Sequence, residues 1–239
     1  MKLLVVGTVA FDAIETPFGK TDKIIGGAAT YISLSASYFT QNINLVSVVG
    51  SDFPQQAIDL MHSCHINTEG LQVKQGEKSF FWKGKYHNDM NTRDTLNTEL
   101  NVLEHFDPIL PYDYKDADYI MLGNLTPSVQ SKVLDQLNGS AKLVVMDTMN
   151  FWMNVAMDDL LKVLGRVDVL TINDEEARQL ADDYSLARAA KKIMKLGPRF
   201  LVIKKGEHGA LLFHEDKIFF SPALPLDEVF DPTGEGDTF

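Results

Sequence analysis

Six short runs of this chain are apolar almost without interruption: KLLVVGTVA (2–10), INLVSVVG (43–50), ADYIMLG (117–123), AKLVVMD (141–147), VDVLTI (167–172) and RFLVIKKG (199–206). A strand with one wet face alternates apolar and polar residues. These runs do not, so they predict strands buried on both faces. The segments between them read as helices that could cover those faces. Thr126 can cap a helix with Pro127 in its first turn, Asn173 caps DEEARQLA (174–181), and Ser185 caps LARAAKKIMKL (186–196), which halts at Gly197-Pro198. The alternation implies a mainly parallel sheet between helical layers, in which ligands bind beyond the carboxyl ends of the strands.

The 239 residues, 45% hydrophobic and 23% charged, suffice for one large α/β domain with a substantial core. A net charge of −11 repels phosphate backbones and anionic lipid, and no basic stretch exceeds KKIMK (191–195). Neither nucleic acid nor a membrane is therefore an expected partner. The single cysteine, Cys64, precludes an internal disulfide, the N-terminus carries no secretory cleavage pattern, and no apolar run approaches a bilayer span. A cytoplasmic location is the expectation. His62, Cys64 and His65 cluster in HSCHIN, but no second group with ligand spacing accompanies them, so zinc is not expected. Segments 13–25 and 76–108 are polar, aromatic-bearing and without helix period. The alternating SFFWKGKY (79–86) reads as a strand, and 13–25 suits a hairpin bent at Gly19. Both segments are expected to form a small β-rich lid on a single domain with its core in 1–12, 26–75 and 109–239.

The stretch DPTGEGDTF (231–239) carries the chemistry. No Gly-x-x-x-x-Gly-Lys-Ser/Thr occurs, and VVGTVAFD lacks the three-glycine dinucleotide fingerprint. Gly-x-Gly-Asp is a different device: glycines let successive N–H groups converge on an anion, and the carboxylate beside them can take a proton. Taken alone, the stretch reads first as a glycine turn with an acidic helix cap.

Five segments in order change that balance. GGAATYISLSAS (26–37), NLVSVVGSD (44–52), TINDEEARQL (171–180), VIKKGEHGALLF (202–213) and DPTGEGDTF together resemble the ribokinase-like (PfkB) carbohydrate kinases over essentially the whole chain. The resemblance implies a three-layer α/β/α sandwich with a mainly parallel central sheet and a β-rich lid. It implies a phosphotransferase that uses ATP and Mg²⁺ on a hydroxymethyl group of a small sugar. Asp237 matches the catalytic base, and the backbone of Gly234, Glu235 and Gly236 matches the anion hole. Asn173 and Glu176 match the motif that manages phosphates and magnesium, Glu176 through water. Lys205 and Gly206 stand where the family approaches the nucleotide phosphates, and Asp12, Gly26 and Gly27 where it holds sugar hydroxyls. Each has a plainer structural role open to it: Asn173 as a helix cap, Glu176 as a first-turn acid, Lys205 as a solvated charge, Gly26-Gly27 as a close-packing pair, Asp12 as turn chemistry.

Departures from the family pattern are specific. Glu235 replaces the usual alanine and adds negative charge beside the phosphates. Tyr31 replaces the usual sugar-contacting asparagine and can either stack on a ring or fill the core. Family members continue past the aspartate, so the resemblance implies that the C-terminal part of the fold is missing, and the two residues after Asp237 are too few to nucleate a helix. Asp147 and Asn150 follow a strand end and are further candidates for substrate or phosphate contact. An aromatic lid fits a nucleoside as well as a sugar, and a non-catalytic sugar- or nucleotide-binding module is a third reading. The resemblance also implies a homodimer formed through the lid, while the sequence leaves a monovalent cation open.

Overall fold

Each of the six apolar runs supplies a strand, and the six stand side by side in one sheet. The computed structural model describes residues 1–139 and 141–239. Its strands are β1 (Leu3–Val6), β2 (Ala10–Thr16), β3 (Gly19–Gly26), β4 (Ile43–Gly50), β5 (Ile66–Lys74), β6 (Phe81–Tyr86), β7 (Arg93–Glu99), β8 (Tyr119–Leu122), β9 (Leu143–Asp147), β10 (Val169–Asn173), β11 (Phe200–Lys204), β12 (Ala210–His214) and β13 (Lys217–Ser221). Its helices are α1 (Ala28–Ser37), α2 (Gln55–Ser63), α3 (Pro127–Asp135), α4 (Asn150–Val155), α5 (Met157–Leu164), α6 (Asp174–Ala181), α7 (Leu186–Ile193) and α8 (Glu235–Thr238). The larger sheet has the order β13-β12-β11-β10-β9-β8-β1-β4-β5. Pairings from β11 to β5 are parallel, and β12 and β13 add an antiparallel ribbon at one edge. From β1 the chain winds to β4 and β5, then returns to build β8 to β11 on the other side. Winding therefore reverses between β1 and β8, the kind of point at which open sheets place ligands beyond the strand ends.

Neighbouring residues of one strand enter different cores. Leu4 and Val6 pack with Leu122 and with residues of α3, α5, α6 and α7, whereas Val5 packs with Leu45 and residues of α1 and α2. All eight residues of β4 are buried. That is why these runs show no alternation. The strands β8, β9 and β11 depart from the expectation: Tyr119 and Met121 of β8, Leu143 and Val145 of β9, and Phe200, Val202 and Lys204 of β11 are only partly buried, whereas Leu201 and Ile203 are fully so. Helices α1 and α2 cover β4 and β5 and do not extend over β11.

The strands β3, β2, β6 and β7 form a second sheet in that order, with β2 and β6 parallel. Its first hairpin reverses at Pro17 and Phe18 rather than at Gly19. Thr16 pairs with Gly19, which opens the return strand, and the Phe18 N–H donates to Thr16 Oγ1 at 3.1 Å. Asn173 caps α6 through its side chain, while Thr126 and Ser185 occupy the N-cap positions of α3 and α7 without a side-chain bond. The two residues after Asp237 build no helix of their own; the short α8 begins earlier, at Glu235. Docking supplies what nucleation lacks: Ser35 Oγ on α1 donates to the Thr238 carbonyl at 3.0 Å, and Lys204 Nζ donates to the Gly236 carbonyl at 2.9 Å.

Between β4 and β5 the register slips, Asn44 facing Asn67 and Val46 facing Gly70, so β5 carries one extra residue. The hydroxyl of fully buried Tyr114 fills the gap, accepting from the Gly70 N–H at 3.3 Å and donating to the Asn67 carbonyl at 3.0 Å. Tyr114→Phe leaves both backbone groups without this partner and is expected to cost about 1–3 kcal/mol. Urea unfolding should show a lower midpoint with an unchanged m-value.

Candidate active site

Strand parity delivers the functional groups of the large sheet. Asn173 and Lys204 are register partners at the ends of β10 and β11, and Thr171 partners Asp147 at the end of β9. Asp147, Asn173 and Lys204 therefore leave the sheet on one face. Lys204 Nζ lies 3.6 Å from Asp147 Oδ1 and holds the Gly236 carbonyl, so it joins the strand ends to α8. Lys205, one residue on, instead lines a hollow of about 330 Å³ with Glu207, His208, Phe220, Pro222 and Ala223. Gly206, at φ +53°, sits where a Cβ would stand 2.5 Å from Asn91 Oδ1, so the turn between β6 and β7 rests on it.

Asn173 and Glu176 form a reciprocal capping box at the start of α6. The Glu176 N–H donates to Asn173 Oδ1 and the Asn173 N–H to Glu176 Oε2, both at 2.8 Å. The structural role of the pair is thus filled, yet Glu176 is only 5% exposed. Burial, then the charge of Asp147, pushes its carboxyl up to about 7. Burial also raises Asp147, against the pull of Lys204.

A second corner is built where α1 begins. Gly27, at φ +93°, leaves 2.5 Å between a Cβ and the Thr8 carbonyl, and Thr8 Oγ1 accepts the Ala28 N–H at 2.9 Å. Glycine is required there. A Cβ on Gly26 would stand 1.9 Å from Asp12 Oδ2, so the Asp12 carboxyl packs directly on that residue. Burial raises Asp12 to about 6, against a hydrogen bond from the Gly27 N–H. Tyr31, on the first turn of α1, puts its ring against Gly234, where a Cβ would lie 2.6 Å from the ring. Burial, then the charges of Asp12, Asp231 and Asp237, raises its hydroxyl. Tyr31 thus stands between the Asp12 corner and the glycine turn.

Within that turn, the Glu235 N–H donates to the Pro232 carbonyl, and the Asp237 and Thr238 N–H groups both donate to the Gly234 carbonyl. Among the described residues, the N–H groups of Gly234 and Gly236 carry no such bond. Glu235 is exposed and Asp237 partly buried. Burial, then Asp147, pushes the Asp237 carboxyl up to about 7, while Lys204 and Arg93 pull it down. Carboxylates outnumber cations here. Among the described residues, no three His, Cys, Asp or Glu side chains could cage a metal ion, and His62 Nε2 instead meets Thr68 Oγ1 at 2.6 Å. The buried Asp147 and Glu176, compensated chiefly by one lysine, suit a Mg²⁺ that keeps its waters.

The geometry thus brings Asp12, Gly26, Gly27, Tyr31, Gly234, Gly236 and Asp237 close together, with Asn173 and Glu176 at the strand ends beside Lys204. Sequence reasoning named Lys205 and not Lys204; which of the two faces the acids follows from the register of β11 on β10. Arg93 and Thr8 left no signal in the sequence. In the unfolded chain Asp12 ionises near 3.8, whereas folded it holds its proton up to about 6. The native state binds more protons between these values, so stability falls as pH rises, and the cost is complete above the folded value. Asp12→Asn is therefore expected to stabilise the protein at pH 8 by about 1 kcal/mol or more, since one pKa unit corresponds to about 1.4 kcal/mol. The gain should vanish below pH ~3.5, where Asp12 is protonated in both states, as thermal melts across pH would read.

The sequence profile described as pfkB family carbohydrate kinase matches residues 2–239. The chain is similar to the cytidine kinase of Thermococcus kodakarensis, with 29% identity over 100% of this chain and 86% of the relative. Its fold is similar to that of the Burkholderia thailandensis nucleoside kinase in complex with inosine, at a TM-score of 0.78 and 20% identity, over 99% of this chain and 80% of that one. It is likewise similar to an E. coli protein described as a ribokinase II in complex with ATP and Mg²⁺, at a TM-score of 0.79 and 19% identity, over 99% and 82%. With a family profile that spans nearly every residue and a ribokinase-like sheet to match, this chain belongs to the pfkB family of carbohydrate kinases.

Proposed function

We propose that this chain transfers the γ-phosphoryl group of ATP to the primary hydroxyl of a pentose, free or carried by a nucleoside. Asp237 acts as general base and the N–H groups of Gly234 and Gly236 steady the transferred group. One observation carries this reading: an acid with proton affinity near neutrality and two N–H groups free of internal bonds stand together, with the Asp12 corner one tyrosine away. The kinase activity of the family and the cytidine kinase relative support it, as do the ATP and Mg²⁺ of the E. coli structure.

Asp12 and the Gly27 backbone orient the acceptor so that its hydroxymethyl group faces Asp237. Asp237 takes the hydroxyl proton as the new P–O bond forms, a role suited to a base near the pH of operation. Lys204, already on the Gly236 carbonyl, keeps the turn seated on the strand ends. Glu176 and Asn173 would hold Mg²⁺ and the donor phosphates through water, with Lys205 and Gly206 flanking the donor. When bound, Mg²⁺–ATP supplies the phosphoryl group and offsets the charge that develops on it. The sheet of β3, β2, β6 and β7 serves as the lid over the acceptor and excludes water from the transfer.

Asp237→Asn is expected to lower kcat about 10²- to 10⁴-fold, the span of general-base catalysis, with a smaller change in KM. Because the base works only when ionised, kcat/KM should rise with pH through about 7 and then level. A rate flat in pH from 5 to 9, or a Asn variant at full speed in the coupled assay, would remove Asp237 from the role. Exposed Glu235 adds negative charge beside the two free N–H groups, so Glu235→Ala is expected to tighten ATP binding measured by titration calorimetry.

A further inference from the structure

One face of the four-stranded sheet looks into the site. Asp12 and Trp82 are register partners on β2 and β6, while Gly84 pairs with Thr95 and Tyr86 with Arg93 on β6 and β7. Alternation along β6 puts these side chains on one face. Tyr86 is reached by Thr233 Oγ1 at 3.4 Å, so this face is the one turned toward the glycine turn. On it the benzo ring of Trp82 covers Gly84: a Cβ there would stand 2.0 Å from Cη2, 2.4 Å from Cζ2 and 2.8 Å from Cζ3. Trp82 Nε1 donates to Thr95 Oγ1 at 3.2 Å, which fixes the ring's orientation. The Arg93 guanidinium carbon lies over the ring at 6.0 Å from its centroid, at the outer reach of a cation–π contact, and the indole is partly exposed.

A pre-set aromatic surface loses little side-chain freedom on binding a flat partner. Its register partner on the neighbouring strand is Asp12, whose carboxylate suits adjacent hydroxyls. Resting on the phosphotransfer reading above, we propose that the acceptor is a nucleoside whose base stacks on Trp82 while Asp12 takes the hydroxyls of its pentose. Gly84 belongs to the device, because any side chain at that position displaces the indole.

The chain has two tryptophans, Trp82 and Trp152, so Trp152→Phe leaves Trp82 as the sole indole emitter. Cytidine and inosine should quench that emission saturably, and ribose should not. In steady-state assays Trp82→Leu should raise the nucleoside KM about 5- to 150-fold, the range that base–aromatic stacking spans, and affect ribose much less. Trp82→Phe should recover most of the loss and Gly84→Val should reproduce it. Should Trp82→Leu fail to fold, the Trp82→Phe kinetics and the emission titration decide. Nucleosides that leave Trp82 emission unaltered, or a Trp82→Leu penalty equal for ribose and nucleosides, would overturn the proposal. Phosphorylation of ribose without nucleoside quenching keeps the phosphotransfer reading and sinks the stacking. Quenching without turnover of any acceptor does the reverse.

Discussion

The ammonium of Lys204 stands where the end of the parallel sheet meets the last helical turn, and the arrangement of acids around it depends on that one charge. It lies beside Asp147, holds the Gly236 carbonyl, and opposes the upward shift of Asp237 and Glu176. Removing it would leave buried carboxylates facing one another across a gap with chiefly the Arg93 guanidinium to offset them. The site is thus electrostatically unfavourable by construction. Perturbed acids at strand ends are what a catalytic centre requires, and they set a limit on stability there.

Much of this was legible in the chain. Unbroken apolar runs marked β1 and β4 because successive side chains there enter two cores, and Asn173 announced its helix through the acid three residues later. The glycines at 27 and 234 could be read as special because each adopts a backbone that other residues avoid. What a single residue's identity could not reveal was which of two adjacent lysines faces the acids. Sheet parity decides that, and it emerges only once β11 has been registered on β10.

Other features were hidden for a different physical reason. The helix α8 is too short to be written in local propensity; it exists because Ser35 and Lys204 bind its carbonyls from distant parts of the chain. The half-open face of β11 likewise depends on where α1 and α2 happen to lie. Trp82 and Arg93 sit in a segment without helix period, and their common face follows from strand register with β2 and β7. Tertiary context, not composition, carries each of these.

The ring of Tyr31 against Gly234 has a mechanical consequence. The same first turn of α1 also begins at Gly27, whose N–H steadies Asp12. Under the proposed phosphotransfer, one spacer therefore sets the gap between the acceptor's berth and the donor's. A tilt of this helix that enlarged one berth would move the other with it, so selectivity for the two partners cannot drift independently.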